Sequence, residues 1–262
     1  MTSGSSCGKI ILSGEHSVVY GYPALAFPID LTTTVTLLDN GTDQLPIIKT
    51  LLSLLQKANS QFTWHHTITV TSTIPTGSGL GSSAALAHAL ILALGRVHRM
   101  KLTQSEVFIL VQECEKHFHG RPSGIDAATV VYGKPVRLQR VNNEPVITKL
   151  PQTIKLPPHQ LLYSGSATES TKEMVEQVAT LPDKELILVE IGAITNEIEQ
   201  QLRRGALDLN LITANERLLE RLGVVGSKAL AMIKQIERDG GHAKIVGAGG
   251  QQTGSGMILA FP

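Results

Sequence analysis

The stretch Pro75-Thr76-Gly77-Ser78-Gly79-Leu80-Gly81-Ser82-Ser83-Ala84-Ala85 decides the fold. Ile68-Thr69-Val70-Thr71 precedes it and alternates as a half-buried strand does. The run ALAHALILALG follows Ser82-Ser83 and is apolar on almost every face, which predicts a helix buried in a core. The glycines therefore sit on a strand-to-helix turn. Glycine lets the backbone approach a ligand and present successive N–H groups, and a helix start adds the positive end of its dipole. With two hydroxyls at that start, the pattern is expected to cradle phosphate, with Pro75, Gly77, Gly79, Leu80, Gly81, Ser82, Ser83 and Ala84 as its residues. It is not a GxxxxGK[ST] loop, and it is not GxGxxG, because Ala84 stands where the last glycine is required. A plain glycine turn capped by Ser82 or Ser83 is the competing reading.

Upstream of this turn, Lys9–Leu12 and Val35–Leu38 read as short strands, and Leu45–Ala58 carries apolar residues at helical spacing. Downstream, Thr103-Gln-Ser-Glu106 is a capping-box pattern ahead of VFILVQECEKHF, with Gly120 and Pro122 as the stop signal. Prolines 145, 151, 157 and 158 interrupt regular structure and suggest a boundary between a domain over 1–155 and another over 156–262. The second part opens on the strand-like HQLLYSG. Helices follow near Glu169–Thr180, Glu185–Arg203, Asp208–Leu222 and Ser227–Arg238, then strands at Ala243–Val246 and Met257–Ala260. A strand-rich part followed by a helix-rich part argues for an α+β protein of two domains.

Composition narrows the function. With 262 residues, 42% apolar and 17% charged, the chain can build one large core or two modest ones and is not disordered. Lys and Arg number 23 against 22 Asp and Glu, so no single-sign field advertises a nucleic-acid or acidic-membrane partner, and any anion must be bound locally. No apolar segment approaches the roughly 20 residues of a membrane span, and the N-terminus has no signal-type apolar region, so a cytoplasmic location is expected. Cys7 and Cys114 are too few and too far apart for a CxxC site and read as incidental thiols.

Glu115 follows Val111 by four residues and Phe108 by seven, which brings it close to the apolar face of its helix. A carboxylate there needs a partner, either Arg or Lys at a solvent edge or a metal ion. Mg²⁺ fits, since it is held by one or two carboxylates and hydroxyls together with substrate phosphates. Asp126 follows Pro122-Ser123-Gly124 at an apparent helix start, where it could serve chemistry or only compensate the dipole. Lys9, Glu15 and His16 put a cation, a carboxylate and an imidazole in one short segment. His65-His66 and His117/His119 lack zinc-site spacing, and His88 reads as a packed core histidine.

In this order the pieces resemble the galactokinase, homoserine kinase, mevalonate kinase and phosphomevalonate kinase (GHMP) superfamily, and its mevalonate kinase family most closely. GKIILSGEHSVVYGYPALA is similar to the first motif of that family, PTGSGLGSSAA to its phosphate-binding motif, and GGHAKIVGAGG to its third. The resemblance implies a two-domain fold, with a mixed-sheet N-terminal ATP- and Mg²⁺-binding domain, a ferredoxin-like C-terminal domain and an active site between them. It implies transfer of the γ-phosphoryl of ATP to the primary hydroxyl of mevalonate, and often a homodimer. Asp126 and Lys9 would then serve catalysis, and Ser83 and Glu115 would bind Mg²⁺. Glu15, His16, Ser164, Thr168, Gly247, Ala248 and Gly249 would line the substrate side. The alternatives are another small-alcohol kinase such as phosphomevalonate kinase, or a non-catalytic nucleotide-binding sensor. The sequence departs from the family pattern at Cys7, where proline is usual, at Glu169, where arginine is common, and at Gln251-Gln252-Thr253, which interrupts the third motif's glycines. The chain ends soon after the third-motif strand, where relatives generally continue with a helix and a strand; an uncovered sheet edge would be an aggregation or dimerisation liability.

Overall fold

The computed structural model describes residues 1–39, 46–58, 65–119, 122–142 and 144–262. Leu45 and the stop-signal Gly120 lie outside the described residues, as do the side chains of His117 and His119. Two long strands, β1 (Thr2–Ser13) and β2 (Ala24–Asp39), begin the chain, extending well beyond the short apolar runs that announced them. The extra length of β2 comes from Leu31-Thr-Thr-Thr-Val35, whose β-branched residues suit a pleated surface. Its far half pairs antiparallel with β3 (His66–Ser72), Val35 opposite Val70, and its near half with β4 (Val136–Val141), Ala24 opposite Leu138. β4 turns back into β5 (Glu144–Lys149), and the sheet order is β1-β2-β4-β5 with β3 also on β2.

Pro145 was expected to break regular structure, yet it lies within β5. β5 ends the strand order, and an edge strand tolerates a residue with no N–H to donate. Asn142, directly after β4, has φ 51°.

Helices α1 (Pro46–Ala58), α2 (Ser82–Val97), α3 (Gln104–His119) and α4 (Ile125–Tyr132) follow the hydrophobic periodicity. The capping box of α3 forms as expected: Thr103 N and Oγ1 donate to Glu106 Oε2 at 2.7 and 2.8 Å, and Glu106 N donates to Thr103 Oγ1 at 3.3 Å. Two compact units result, interleaved in sequence. The first takes Met1–Gly8, Pro28–Pro75 and Gly81–Gly133, and the second takes Lys9–Phe27, Thr76–Leu80 and Lys134–Pro262. The core of the first is α2, surrounded by Ile48 and Leu51 of α1, Val107 and Val111 of α3, Val130 of α4, and Val35 and Leu37 of β2. His88, on α2, is buried there with its Nδ1 2.9 Å from Ser6 Oγ, a satisfied core histidine as expected.

The second unit holds an antiparallel sheet in the order β6-β8-β7, made by β6 (Gln160–Tyr163), β7 (His242–Ile245) and β8 (Met257–Phe261). Helices α5 (Thr171–Thr180), α6 (Lys184–Arg203), α7 (Asn210–Arg221) and α8 (Ser227–Arg238) supply Val178, Leu188, Ile191, Leu219 and Ile233 to its core. β8 is flanked on both sides, and β6 and β7 are the outer strands of this sheet. The Gln251-Gln252-Thr253 interruption caps a helix. Ser227 N donates to Gln252 O at 3.2 Å, Lys228 N to Thr253 O at 3.0 Å and Gly226 N to Ser255 Oγ at 2.8 Å, giving acceptors to the first N–H groups of α8.

Candidate active site

Gly77, Gly79 and Gly81 have φ of 68, 81 and 75°, so all three alternating glycines adopt the left-handed conformation that side-chain-bearing residues resist. A Cβ on Gly79 would lie 2.5 Å from Val246 O, and one on Gly247 would lie 3.0 Å from Gly79 Cα. Within the second unit the turn around Gly79 and the third motif's Gly247 thus meet backbone to backbone. Lys9 N donates to Leu80 O at 2.9 Å and Met257 N to Ser78 O at 3.0 Å. Gly81 is the N-cap of α2, which has no side-chain cap and no acidic residue in its first turn. The capped-turn reading of Ser82 or Ser83 therefore gives way, because both residues are already helical and the cap position has no side chain. A helix start left this way attracts an anion.

Ser82, Ser83 and Ala84 form the first turn of α2 in the first unit, which also contains Pro75, Gly81, Glu115 and Asp126. Glu115 is 1% exposed on α3, and its neighbour Cys114 has its thiol pushed up to about 12 by burial, then by the charges of Glu115 and Glu113. Cys114 is accordingly an inert thiol. Asp126 is half-buried at the second position of α4, one turn before Thr129, whose Oγ1 donates to Ile125 O at 2.7 Å.

The second unit contains Lys9, Glu15, His16, Gly77, Gly79, Leu80, Ser164, Thr168, Gly247, Ala248 and Gly249. His16 is buried at φ 59°, and its Nε2 lies 3.0 Å from Ala248 O, which fixes the proton on Nε2. Burial lowers its pKa to about 4, partly offset by that hydrogen bond, so the imidazole is neutral near pH 7 with an unpartnered buried Nδ1 as an acceptor. Ser164 is fully buried, donating to Gly256 O at 2.8 Å and accepting from Ser255 N at 3.0 Å, so its hydroxyl shapes the third glycine segment. Thr168 is exposed and donates to Glu169 Oε2 at 2.9 Å.

Two buried ionisable groups escaped sequence reasoning. Lys244 of β7 is 0% exposed and its Nζ meets Glu15 Oε1, while Glu216 of α7 accepts from Ile245 N at 3.0 Å through Oε2. Burial raises the Glu216 pKa to about 8, against the lowering effect of Lys244. The available signal was a lysine between the apolar residues Ala243 and Ile245 of a strand.

This glycine turn and buried helix lie within residues 46–134, which match the sequence model described as GHMP kinases N terminal domain and mark the chain as a GHMP-class kinase. The mevalonate kinase of Methanothermobacter thermautotrophicus is 31% identical over 99% of this chain and 89% of its own. That of Thermococcus gammatolerans is 30% identical over 94% of this chain and 86% of its own. The crystal structure of Methanococcus jannaschii mevalonate kinase is similar with a TM-score of 0.81 at 25% identity, covering 98% of this chain and 89% of that one. The chain belongs to the mevalonate kinase family.

Proposed function

We propose that this chain transfers the γ-phosphoryl group of ATP to the primary hydroxyl of mevalonate, giving 5-phosphomevalonate and ADP. The observation that carries the reading is the run of three left-handed glycines ending at the uncapped start of α2, a backbone shaped for polyphosphate. Phosphoryl transfer asks little covalent work of a protein, so each residue is assigned a positioning or neutralising task. Backbone amides from Gly77 to Ala84, following Pro75, hold the phosphates. Asp126 accepts or orients the proton of the attacking hydroxyl, and Lys9 supplies positive charge to that carboxylate and to the attacking oxygen. His16, neutral, offers its buried Nδ1 to a substrate hydroxyl, and Glu15 lies beside it in sequence. Ser164, Thr168, Gly247, Ala248 and Gly249 complete the substrate side.

The donor chemistry of the first unit fits Mg²⁺: a deeply buried carboxylate at Glu115 and a hydroxyl at Ser83 are hard oxygen ligands. When bound, Mg²⁺ supplies positive charge to the β- and γ-phosphate oxygens. The reading also includes the division at 155/156, a homodimer and a cytoplasmic location. Among the described residues no helix is long and apolar enough to cross a membrane.

The test is an ADP-release assay with ATP, Mg²⁺ and mevalonate beside phosphomevalonate, homoserine and galactose. Mevalonate-dependent turnover is expected. Turnover only with another of these alcohols would reassign the substrate, and silence with all of them from folded, ATP-binding protein would refute the kinase reading in favour of a sensor.

A further inference from the structure

Lys244 sits in an unusual position for a charge. Its Nζ meets Glu15 Oε1, donates to Ile245 O at 2.7 Å and reaches Ile11 O at 3.5 Å, so an acceptor stands at each of the three ammonium protons. Both members of the pair are buried, at 0% for Lys244 and 2% for Glu15. Removing two charges from water costs several kcal/mol per ion, and an apolar residue on β7 would fill the same space at no such cost. The pair is therefore a poor device for stability and a good one for geometry.

That geometry concerns the functional segments directly. Ile245 is held on both sides of its backbone, the N–H by Glu216 Oε2 and the C=O by Lys244. Two residues further on, Gly247 meets Gly79, and Ala248 O takes the His16 ring. The turn Gly14-Glu15-His16 is thus tied to the third glycine segment twice, at Lys244 by an ion pair and at Ala248 by a hydrogen bond. Glu15 Oε2 stays buried with no protein partner. All these residues belong to the second unit.

We propose that Lys244 is a positioning residue for the alcohol substrate: it holds Glu15 by one oxygen so that the other oxygen, and the adjacent His16 imidazole, face the substrate's polar groups at fixed spacing. The inference rests on the kinase reading above. It is tested by a double-mutant cycle on the full chain with Glu15→Gln, Lys244→Met and the pair together, recording kcat, the KM for ATP and for mevalonate, and Tm. If Lys244 acts through Glu15, the double variant matches Glu15→Gln alone in kcat/KM for mevalonate, since the two effects share one route. Lys244→Met by itself should lower kcat/KM for mevalonate by about 100-fold, the scale of an ångström of misplacement, with the KM for ATP changed less than about threefold. Should Lys244→Met fail to fold, the double variant, which buries no unpaired charge, still gives the comparison with Glu15→Gln. Losses that multiply in the double variant, or a folded Lys244→Met with normal kinetics toward mevalonate, overturn the proposal while leaving the kinase reading intact. Wild-type protein without turnover overturns both.

Discussion

Glu216→Gln should abolish the pH dependence of stability above about pH 6.5. The buried Glu216 carboxyl keeps its proton to about pH 8 in the folded chain, whereas the unfolded chain releases it near 4.5. Between those values the folded state binds more protons, so stability is fully present below pH 4.5 and falls by roughly 1.4 kcal/mol per pH unit up to about 8. His16 and His88 act with the opposite sign, because burial lowers both from 6.5 to about 4. Below 6.5 the unfolded chain takes up to two protons that the folded one refuses, so stability drops as the pH falls through that range. The sums give a rise of about 1.4 kcal/mol per unit between 4.5 and 6.5, a maximum near 6.5, and a loss of about 2 kcal/mol by pH 8. Glutamine cannot titrate. The variant should be flat from 6.5 to 8, and its acid limb should steepen to roughly 2.7 kcal/mol per unit, because the opposing carboxyl is gone. Urea unfolding followed by circular dichroism across this range measures both limbs. A variant that still loses about 2 kcal/mol between 6.5 and 8 would show that another group, not Glu216, holds the proton.

Asp126→Asn should reduce turnover by orders of magnitude while ATP affinity changes little; single-turnover rates beside nucleotide titration separate the two, and a near-normal rate removes Asp126 from the chemistry. Glu115→Gln should raise the Mg²⁺ concentration needed for half-maximal rate at least tenfold, and an unchanged requirement places the metal elsewhere. Gly79→Ala introduces a methyl 2.5 Å from Val246 O at φ 81°. Strain of about 1–2 kcal/mol plus that clash should lower Tm by several degrees and weaken ATP binding at least tenfold by calorimetry, and wild-type values would show the loop to be more pliable than its packing implies.

Legibility in the sequence followed how local the cause was. The helix Ser227–Arg238 matches its expected bounds, and the capping box at Thr103 and Glu106 forms as the four-residue pattern dictates, because both depend on near neighbours in the chain. The glycines at 77, 79 and 81 were also readable, since their spacing alone signals an unusual backbone. The β4–β5 hairpin was not. Pro145 suggested a break, and only the edge position of β5, a property of the whole sheet, removes the conflict. The Gln251–Thr253 interruption looked like a damaged motif until the start of α8, about 25 residues earlier, was found against it. Lys244 and Glu15 are separated by 229 positions, and no local pattern announces a pair that distant.

The position of β8 bears on synthesis. β6 and β7 are both neighbours of β8 and not of each other in the sheet, yet β8 follows both in sequence. A nascent chain that has emerged only as far as Val246 therefore exposes two strands with no partner strand between them, although α7 and α8 already have β7 to pack against. Chains fold as they are made at roughly 5–20 residues per second, so this half of the protein waits for Met257–Phe261 and is vulnerable to chaperones, proteases and neighbouring ribosome products until those residues clear the exit tunnel.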